Sequence, residues 1–354
     1  MFIQPIPVLR REGNSVVILD QTALPWIKVE RRLITLEDAA EAIASMRVRG
    51  APLIGIAAAH GVALALALET PDDIALGRVL AALRATRPTA VNLAWALARM
   101  ETRLRPLPVA ARREAAWAEA ASILVEDAAA CEAIGAHGLD LFRVAPAGRP
   151  LRVMTHCNAG WLATAGAGTA LAPVYAARAA GIALEVVVSE TRPRNQGLLT
   201  AWELAAVGID YVLIADNAAG FLLARGEIDI VIVGADRIAA NGDTVNKIGT
   251  YLKALAAQAS QTPFYVAAPL SSFDAGAVSG AAIPIEERPP EEVLSVAGFN
   301  DEGFPRRLRL AQGGARVFNP AFDSTPAAFI SGFITERGVF SPERLDELAQ
   351  GVGA

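Results

Sequence analysis

An acid, an amide and a cation follow one another closely behind a very apolar run. The run is Ile228-Asp229-Ile230-Val231-Ile232-Val233, and the block Gly234–Tyr251 behind it carries Asp236, Asn246 and Lys247. A β-rich run of that length predicts a strand buried on both faces of a parallel sheet. A carboxylate at its carboxyl end lies on the edge where open α/β sheets hold ligands. Behind Asp236 the sequence predicts a loop rich in Asn, Gly and Asp, then a helix over 245–258 with Lys247 near its start. Acid, amide, cation and helix N-terminus would then converge, which suits a small phosphorylated substrate. Desolvation at an apolar strand end would keep Asp236 protonated as a general acid. The plainer reading is a cap on the next turn.

Other predicted strands end in similar groups. They are His156-Cys157-Asn158, Glu190-Thr191-Arg192-Pro193 and Asp216-Asn217, beside Asp236-Arg237. Polar residues end strands in any sheet, but several such ends on one edge, one with a Cys, point to a site. Cys157 reads as a nucleophile, an acid or a small core residue. Cys131 reads as helix packing and His60 as a core or interface histidine. His156 points away from Cys157 if the strand persists, so no chemistry is assigned to it. Gly166-Ala167-Gly168 is a poor dinucleotide fingerprint, because Leu171 replaces the third glycine and the strand lies too far behind. A phosphate-cradling helix start near Thr169 and a close backbone contact both remain open. Arg47-Val48-Arg49-Gly50-Ala51-Pro52 and Arg87-Pro88-Thr89-Ala90 each precede a predicted helix. They read as phosphate contacts or as surface turns.

The elements that must position these groups fall into two parts. Residues 1–145 are expected to form a smaller mixed, mainly helical domain. Ser15–Asp20 and Trp26–Val29 read as short strands. Thr35 caps a helix over 36–46, and further helices are predicted over 53–68, 75–83, 90–103 and 109–142. A Pro- and Gly-containing break over 143–150 marks the boundary. Residues 146–354 are expected to form a Rossmann-like parallel sheet, with strands over 151–156, 184–188, 211–215, 228–233 and 264–268 alternating with helices over 169–180, 198–207 and 218–223. Thr325 and Pro326 are expected to start a last helix.

Composition narrows the partners. The chain has 354 residues and a formal net charge of −5, which gives no general attraction to nucleic acid or anionic membrane. Two cysteines make no disulfide framework, and three scattered histidines make no zinc site. The start Met1-Phe2-Ile3-Gln4-Pro5 lacks the pattern of a secretory signal. Residues 51–68 approach a membrane span in length, but Pro52, Gly55, His60 and Gly61 and the Ala-rich composition favour a core helix. A cytoplasmic protein is expected.

Together the motifs resemble the 5-methylthioribose-1-phosphate isomerase family. They are Arg49-Gly50-Ala51-Pro52, Arg87–Leu93, Thr155-His156-Cys157-Asn158, Glu190-Thr191-Arg192-Pro193 with Gln196-Gly197, Thr200-Ala201-Trp202-Glu203-Leu204, Gly234–Tyr251 and Val317–Asp323. The resemblance implies a small N-terminal domain before a Rossmann-like domain, a homodimer, and no required metal or nucleotide. It implies conversion of 5-methylthioribose 1-phosphate to 5-methylthioribulose 1-phosphate, with Cys157 and Asp236 as the catalytic pair. Arg49, Gly50, Ala51, Arg87, Gln196, Asn246 and Lys247 would hold the substrate. Related chains are regulatory subunits of initiation factor 2B and generally lack that pair. Relatives acting on 5-deoxyribose 1-phosphate or ribose 1,5-bisphosphate are the nearer alternatives. Trp161, Leu198-Leu199 and Val245 depart from the family pattern, and Trp161 is expected to reshape the pocket.

Overall fold

The computed structural model describes residues 6–143, 148–312 and 314–345. Three antiparallel strands come first, β1 (Leu9–Glu12), β2 (Ser15–Leu19) and β3 (Glu30–Leu33). Here the strand expected at Trp26–Val29 is corrected, because the ladder with β2 begins at Glu30 opposite Leu19. β3 escapes sequence reading because Glu30, Arg31 and Arg32 are exposed and charged. Cross-strand Arg10–Glu30 and Arg32–Glu12 pairs replace the apolar pattern that usually marks a strand.

Five helices follow: α1 (Leu36–Ala44), α2 (Ala51–Leu68), α3 (Asp73–Thr86), α4 (Val91–Leu104) and α5 (Val109–Leu139). α1 starts as the sequence predicts. Thr35 Oγ1 accepts the Asp38 N–H at 3.1 Å, and the Asp38 carboxylate accepts the Thr35 N–H at 2.9 Å. This reciprocal cap satisfies donors at both ends of the first turn. α2 is long and apolar enough to cross a membrane, yet 89% of it is buried inside the fold. His60 within it is buried, held neutral by desolvation and hydrogen-bonded to the Ile56 carbonyl at 2.8 Å. It is a core histidine.

The chain then alternates: β4 (Leu151–Thr155), α6 (Ala172–Ala179), β5 (Leu184–Ser189), α7 (Gly197–Ala206), β6 (Tyr211–Ile214), α8 (Ala218–Ala224) and β7 (Ile230–Val233). After a short pair, β8 (Arg237–Ala239) and β9 (Thr244–Lys247), come α9 (Thr250–Ala259), β10 (Phe264–Ala267) and β11 (Phe273–Asp274). The last elements are α10 (Glu291–Leu294), β12 (Ser295–Phe299), β13 (Pro305–Arg309), β14 (Phe322–Thr325), β15 (Gly332–Thr335) and β16 (Gly338–Phe340).

The main sheet has the order β16-β15-β10-β7-β4-β5-β6. All its pairs are parallel except β15 with β16. From β4 the chain runs outward through β5 to β6, then crosses back so that β7 pairs with the other side of β4. The order therefore reverses between β4 and β7, and the loops after these strands diverge there. Such a switch point opens a crevice at the carboxyl edge. A second sheet, β11-β8-β9-β14, lies past that edge.

The helix expected to carry Lys247 is corrected. Asn246 and Lys247 end β9, which pairs antiparallel with both β8 and β14. Thr244 and Val245 favour the strand, and Gly249, at φ +99°, turns the chain before α9 begins. The last helix expected from Thr325 is corrected too. Thr325 ends β14, and past one 3₁₀ turn the chain enters β15 rather than a helix. The expected boundary between residues 145 and 146 and the expected signal-free start at residues 1–5 lie outside the described residues. One hydrophobic cluster, from Val8 to Ile334, runs through both halves of the chain.

α2 is the axis of the helical layer, so truncation there tests the packing. Leu53 has no exposed surface. Leu53→Ala is expected to cost about 2–5 kcal/mol, read as a lower urea midpoint with an unchanged slope.

Candidate active site

The turn after β4 is pinned from both sides. Cys157 adopts φ +63°, a conformation unfavourable to a side-chain-bearing residue. Its N–H donates to Thr191 Oγ1 at 2.8 Å, and its carbonyl accepts the Thr200 hydroxyl at 2.7 Å. Thr191, after β5, has the same φ of +63°. The Asp216 carboxylate beyond β6 accepts its N–H at 2.9 Å and the Arg192 N–H at 2.7 Å. Three consecutive strand ends are thus tied together to hold one thiol. Each strained residue stores about 1–3 kcal/mol, which the surrounding bonds must offset.

His156 precedes the thiol and is buried in a neutral form, because desolvation and nearby Lys253 disfavour its cation. Its Nε2 lies 2.8 Å from the Ile248 carbonyl and its Nδ1 2.6 Å from Ser189 Oγ. A carbonyl only accepts, so the proton sits on Nε2 and the serine donates to Nδ1. Structure, not chemistry, occupies this ring.

Arg49 leads into α2. It donates to the side-chain oxygen of Asn158 and, at 2.7 Å, to the Asn158 carbonyl. Gly50 follows at φ +94°, and a Cβ there would lie 2.5 Å from Ala163 Cβ. Only glycine lets α2 start this close to the loop after β4. Neither Gly50 nor Ala90, the N-caps of α2 and α4, offers a side-chain cap. Both helix starts line the cleft with their positive dipole ends.

Cations face the acid across this space. The Asp236 N–H donates to the Val245 carbonyl at 3.0 Å, fixing the turn after β7. Lys247 Nζ donates to the Ala321 carbonyl at 3.0 Å and stands 4.4 Å from the centre of the Phe322 ring. Asn246 donates to Thr250 Oγ1 at 3.0 Å. Arg87 pairs with Glu286 at 3.0 Å. Arg49 Nε, Arg87 Nε and Gln196 Oε1 are buried with no hydrogen-bond partner. Unsatisfied buried groups in one cleft are what a polar ligand would complete.

The structure brings Arg49, Gly50, Ala51, Arg87, Cys157, Gln196, Asp236, Asn246 and Lys247 to the wall of this single cleft. Asp236 keeps part of its surface open to the cleft while lying deep among protein atoms. Burial pushes its carboxyl above the usual range; Lys247, Arg87 and Arg49 pull it back. The Cys157 thiol is likewise raised by burial, against Arg49 and Lys247. Lys247 is itself lowered by burial, with Cys157 and Asp236 opposing.

One sequence reading changes and one open choice closes. Trp161 does not shape the cleft, because it is fully buried behind the loop and packs on Trp202, centroids 5.5 Å apart. The Gly166–Gly168 stretch is a close backbone contact: Gly168 has φ +87°, and a Cβ on it would lie 2.4 Å from Gly160 Cα. α6 starts only at Ala172. Asn158 and Asp216 read only as polar strand ends, and Glu203 and Glu286 had no assigned role. Glu203 and Asn158 stood within recognisable motifs, but only the fold shows what they hold.

Residues 47–342 match the family model described as the initiation factor 2 subunit family. The chain belongs to this family. On its methylthioribose-1-phosphate isomerase branch, the enzyme of that name from Dechloromonas aromatica (strain RCB) is 58% identical over 94% of this chain and 92% of its own length. That from Methylobacterium nodulans is 53% identical over 92% and 90%. The crystal structure of 5-methylthioribose 1-phosphate isomerase from Pyrococcus horikoshii OT3 superposes with a TM-score of 0.85, at 40% identity over 98% of this chain and 97% of that one. A structure described as translation initiation factor eIF-2B, subunit delta, from A. fulgidus gives 0.80 at 36% identity, over 98% and 99%.

A thiol with a raised pKa is a poor nucleophile at neutral pH. Alkylation of Cys157 by iodoacetamide, followed by mass spectrometry of its peptide, is expected to be slower at pH 7 than that of a free cysteine. It should accelerate only above the ordinary thiol range.

Proposed function

We propose that this protein is an aldose–ketose isomerase converting 5-methylthioribose 1-phosphate to 5-methylthioribulose 1-phosphate, a step of methionine salvage. The observation that carries this reading is the placement of Cys157 after β4 and Asp236 after β7, on the two sides of the switch point, in a cleft walled by Arg49, Arg87 and Lys247. The relatives' names agree with it. In this reading the seven-stranded sheet is the core of a Rossmann-like domain over 146–354. The strands and helices of 1–145 form a smaller domain that contributes Arg49 and Arg87.

The phosphate on the anomeric oxygen masks the aldehyde, so the furanose must open without releasing a free carbonyl first. Asp236, whose protonated form burial favours, donates its proton to the ring oxygen as the bond from C1 to that oxygen breaks. Positive charge then develops at C1. In one route the C2 hydrogen leaves as a proton, an enol forms between C1 and C2, and a proton returns to C1; Cys157 serves as the acid or base. In the other the C2 hydrogen moves to C1 with its electron pair while the 2-hydroxyl loses its proton; Cys157 then helps stabilise the reacting centre. Either route ends with a carbonyl at C2. Arg49, Arg87, Lys247 and the two helix starts neutralise the phosphate, while Gln196 and Asn246 offer polar contacts to the sugar. Deuterium from D2O would enter C1 by the first route only.

A homodimer fits the same reading. β6 is a sheet edge, and its Tyr211, Val212 and Leu213 are exposed, as are Phe221 and Leu252 nearby. A partner covering them would protect an unpaired strand.

The decisive assay supplies 5-methylthioribose 1-phosphate, 5-deoxyribose 1-phosphate and ribose 1,5-bisphosphate separately and compares kcat/KM. A preference for the methylthio sugar is expected; turnover of none would move a regulatory role, as in initiation factor 2B, to first place. Asp236→Asn is expected to lower kcat by about 10²–10⁴-fold while sparing substrate binding. Near-normal turnover in that variant would remove Asp236 as the acid.

A further inference from the structure

Glu203, on α7, has no exposed surface and no part in the chemistry above. Its carboxylate accepts four hydrogen bonds. The Trp161 N–H at 3.0 Å and the Tyr175 hydroxyl at 2.8 Å reach Oε2. The Leu162 N–H at 2.8 Å and the Asn158 amide at 3.0 Å reach Oε1. The loop wraps the carboxylate so closely that a Cβ on Gly160 would lie 1.7 Å from Oε2. Burial pushes the carboxyl up to about 7, and its hydrogen bonds and Arg49 pull it down.

The Asn158 amide nitrogen also donates to Thr200 Oγ1 at 3.1 Å. Both amide hydrogens are thereby committed, so the amide oxygen has to face Arg49. Arg49 rests on that oxygen and on the Asn158 carbonyl. Among the described residues Arg49 forms no ion pair, and its Nε has no partner. A carboxylate placed directly on the guanidinium would form a bidentate pair and cancel its charge toward a ligand. A neutral amide in between fixes the geometry and leaves the charge unpaired, while Glu203 supports it from a distance.

We propose that Glu203 is a positioning residue for phosphate recognition: it locks the Asn158 amide, which in turn holds Arg49 at the cleft wall with its charge uncommitted. This rests on the reading of the cleft as a sugar-phosphate site. Glu203→Gln tests it, because the new amide must turn its N–H groups toward one of two fixed backbone donors.

The experiment is a double-mutant cycle with Arg49→Ala, read by calorimetric titration with inorganic phosphate and by steady-state kinetics. Folded Glu203→Gln is expected to bind phosphate about tenfold more weakly, with KM raised and kcat within about threefold. In the Arg49→Ala background the same change is expected to have no further effect on phosphate. Unchanged phosphate affinity in Glu203→Gln, an equal loss in both backgrounds, or no phosphate binding by the unaltered protein would each overturn the proposal. If Glu203→Gln does not fold, Asn158→Ala breaks the next link with Glu203 in place. It should show the same loss, and wild-type affinity there would also overturn the proposal. An unaltered protein that binds phosphate but turns over no sugar phosphate would defeat the isomerase reading alone, and the cycle would still judge Glu203.

Discussion

A buried guanidinium bonded to no carboxylate is the constraint around which this molecule is arranged. Desolvating Arg49 costs several kcal/mol unless its donors are met. Two are met by one asparagine, whose orientation is set by a buried acid. Cys157, Glu203 and Asp236 act on its charge through space only. Those groups feel it in return. Arg49 opposes the rise that burial imposes on both the thiol and the Asp236 carboxyl. Burial pushes the acid toward its neutral form while the cations in the same small volume oppose that push, a balance that holds only while the loop after β4 stays closely packed.

That packing explains the backbone strain. Cys157 and Thr191 both occupy the left-handed region, and Met46 and Asn195 beside the same walls do so as well. Regular strand ends would splay the side chains apart. The polar chain from Asp216 through Thr191 to Cys157 holds them instead, so stabilising hydrogen bonds are used to fix positions rather than to maximise stability.

Much of this was legible in the residues. The β/α alternation, the apolar runs and the Thr35 cap marked most elements of the main sheet and the helical layer. All nine anticipated site residues share one cleft. What stayed hidden was non-local. β9 read as a helix because its partners, β8 and β14, are separated from it by a tight turn on one side and by a long stretch of chain on the other. β3 was masked by charge, since its exposed side chains reach over β2 to pair with those of β1. Trp161 looked like a cleft residue from its nearness to Cys157 in sequence, but the turn at Cys157 sends it inward to Trp202. Glu203 read only as part of a motif, since its four donors arrive from α6 and the loop after β4.

The wall of the cleft is drawn from Met46 at one end of the chain to Phe322 near the other. β9, which ends in Lys247, is secured by β14, and Arg49 arrives from ahead of α2. Neither half of the chain carries the full set by itself. On the ribosome the amino-terminal arginines are therefore made long before the strand that holds their lysine counterpart in place. A growing chain carries Arg49 and Arg87 well before Asp236, the acid across from them, is added, and β14 comes later still. Late closure of these distant contacts is slow by its topology, and it makes anion capture a sign that the whole chain has folded.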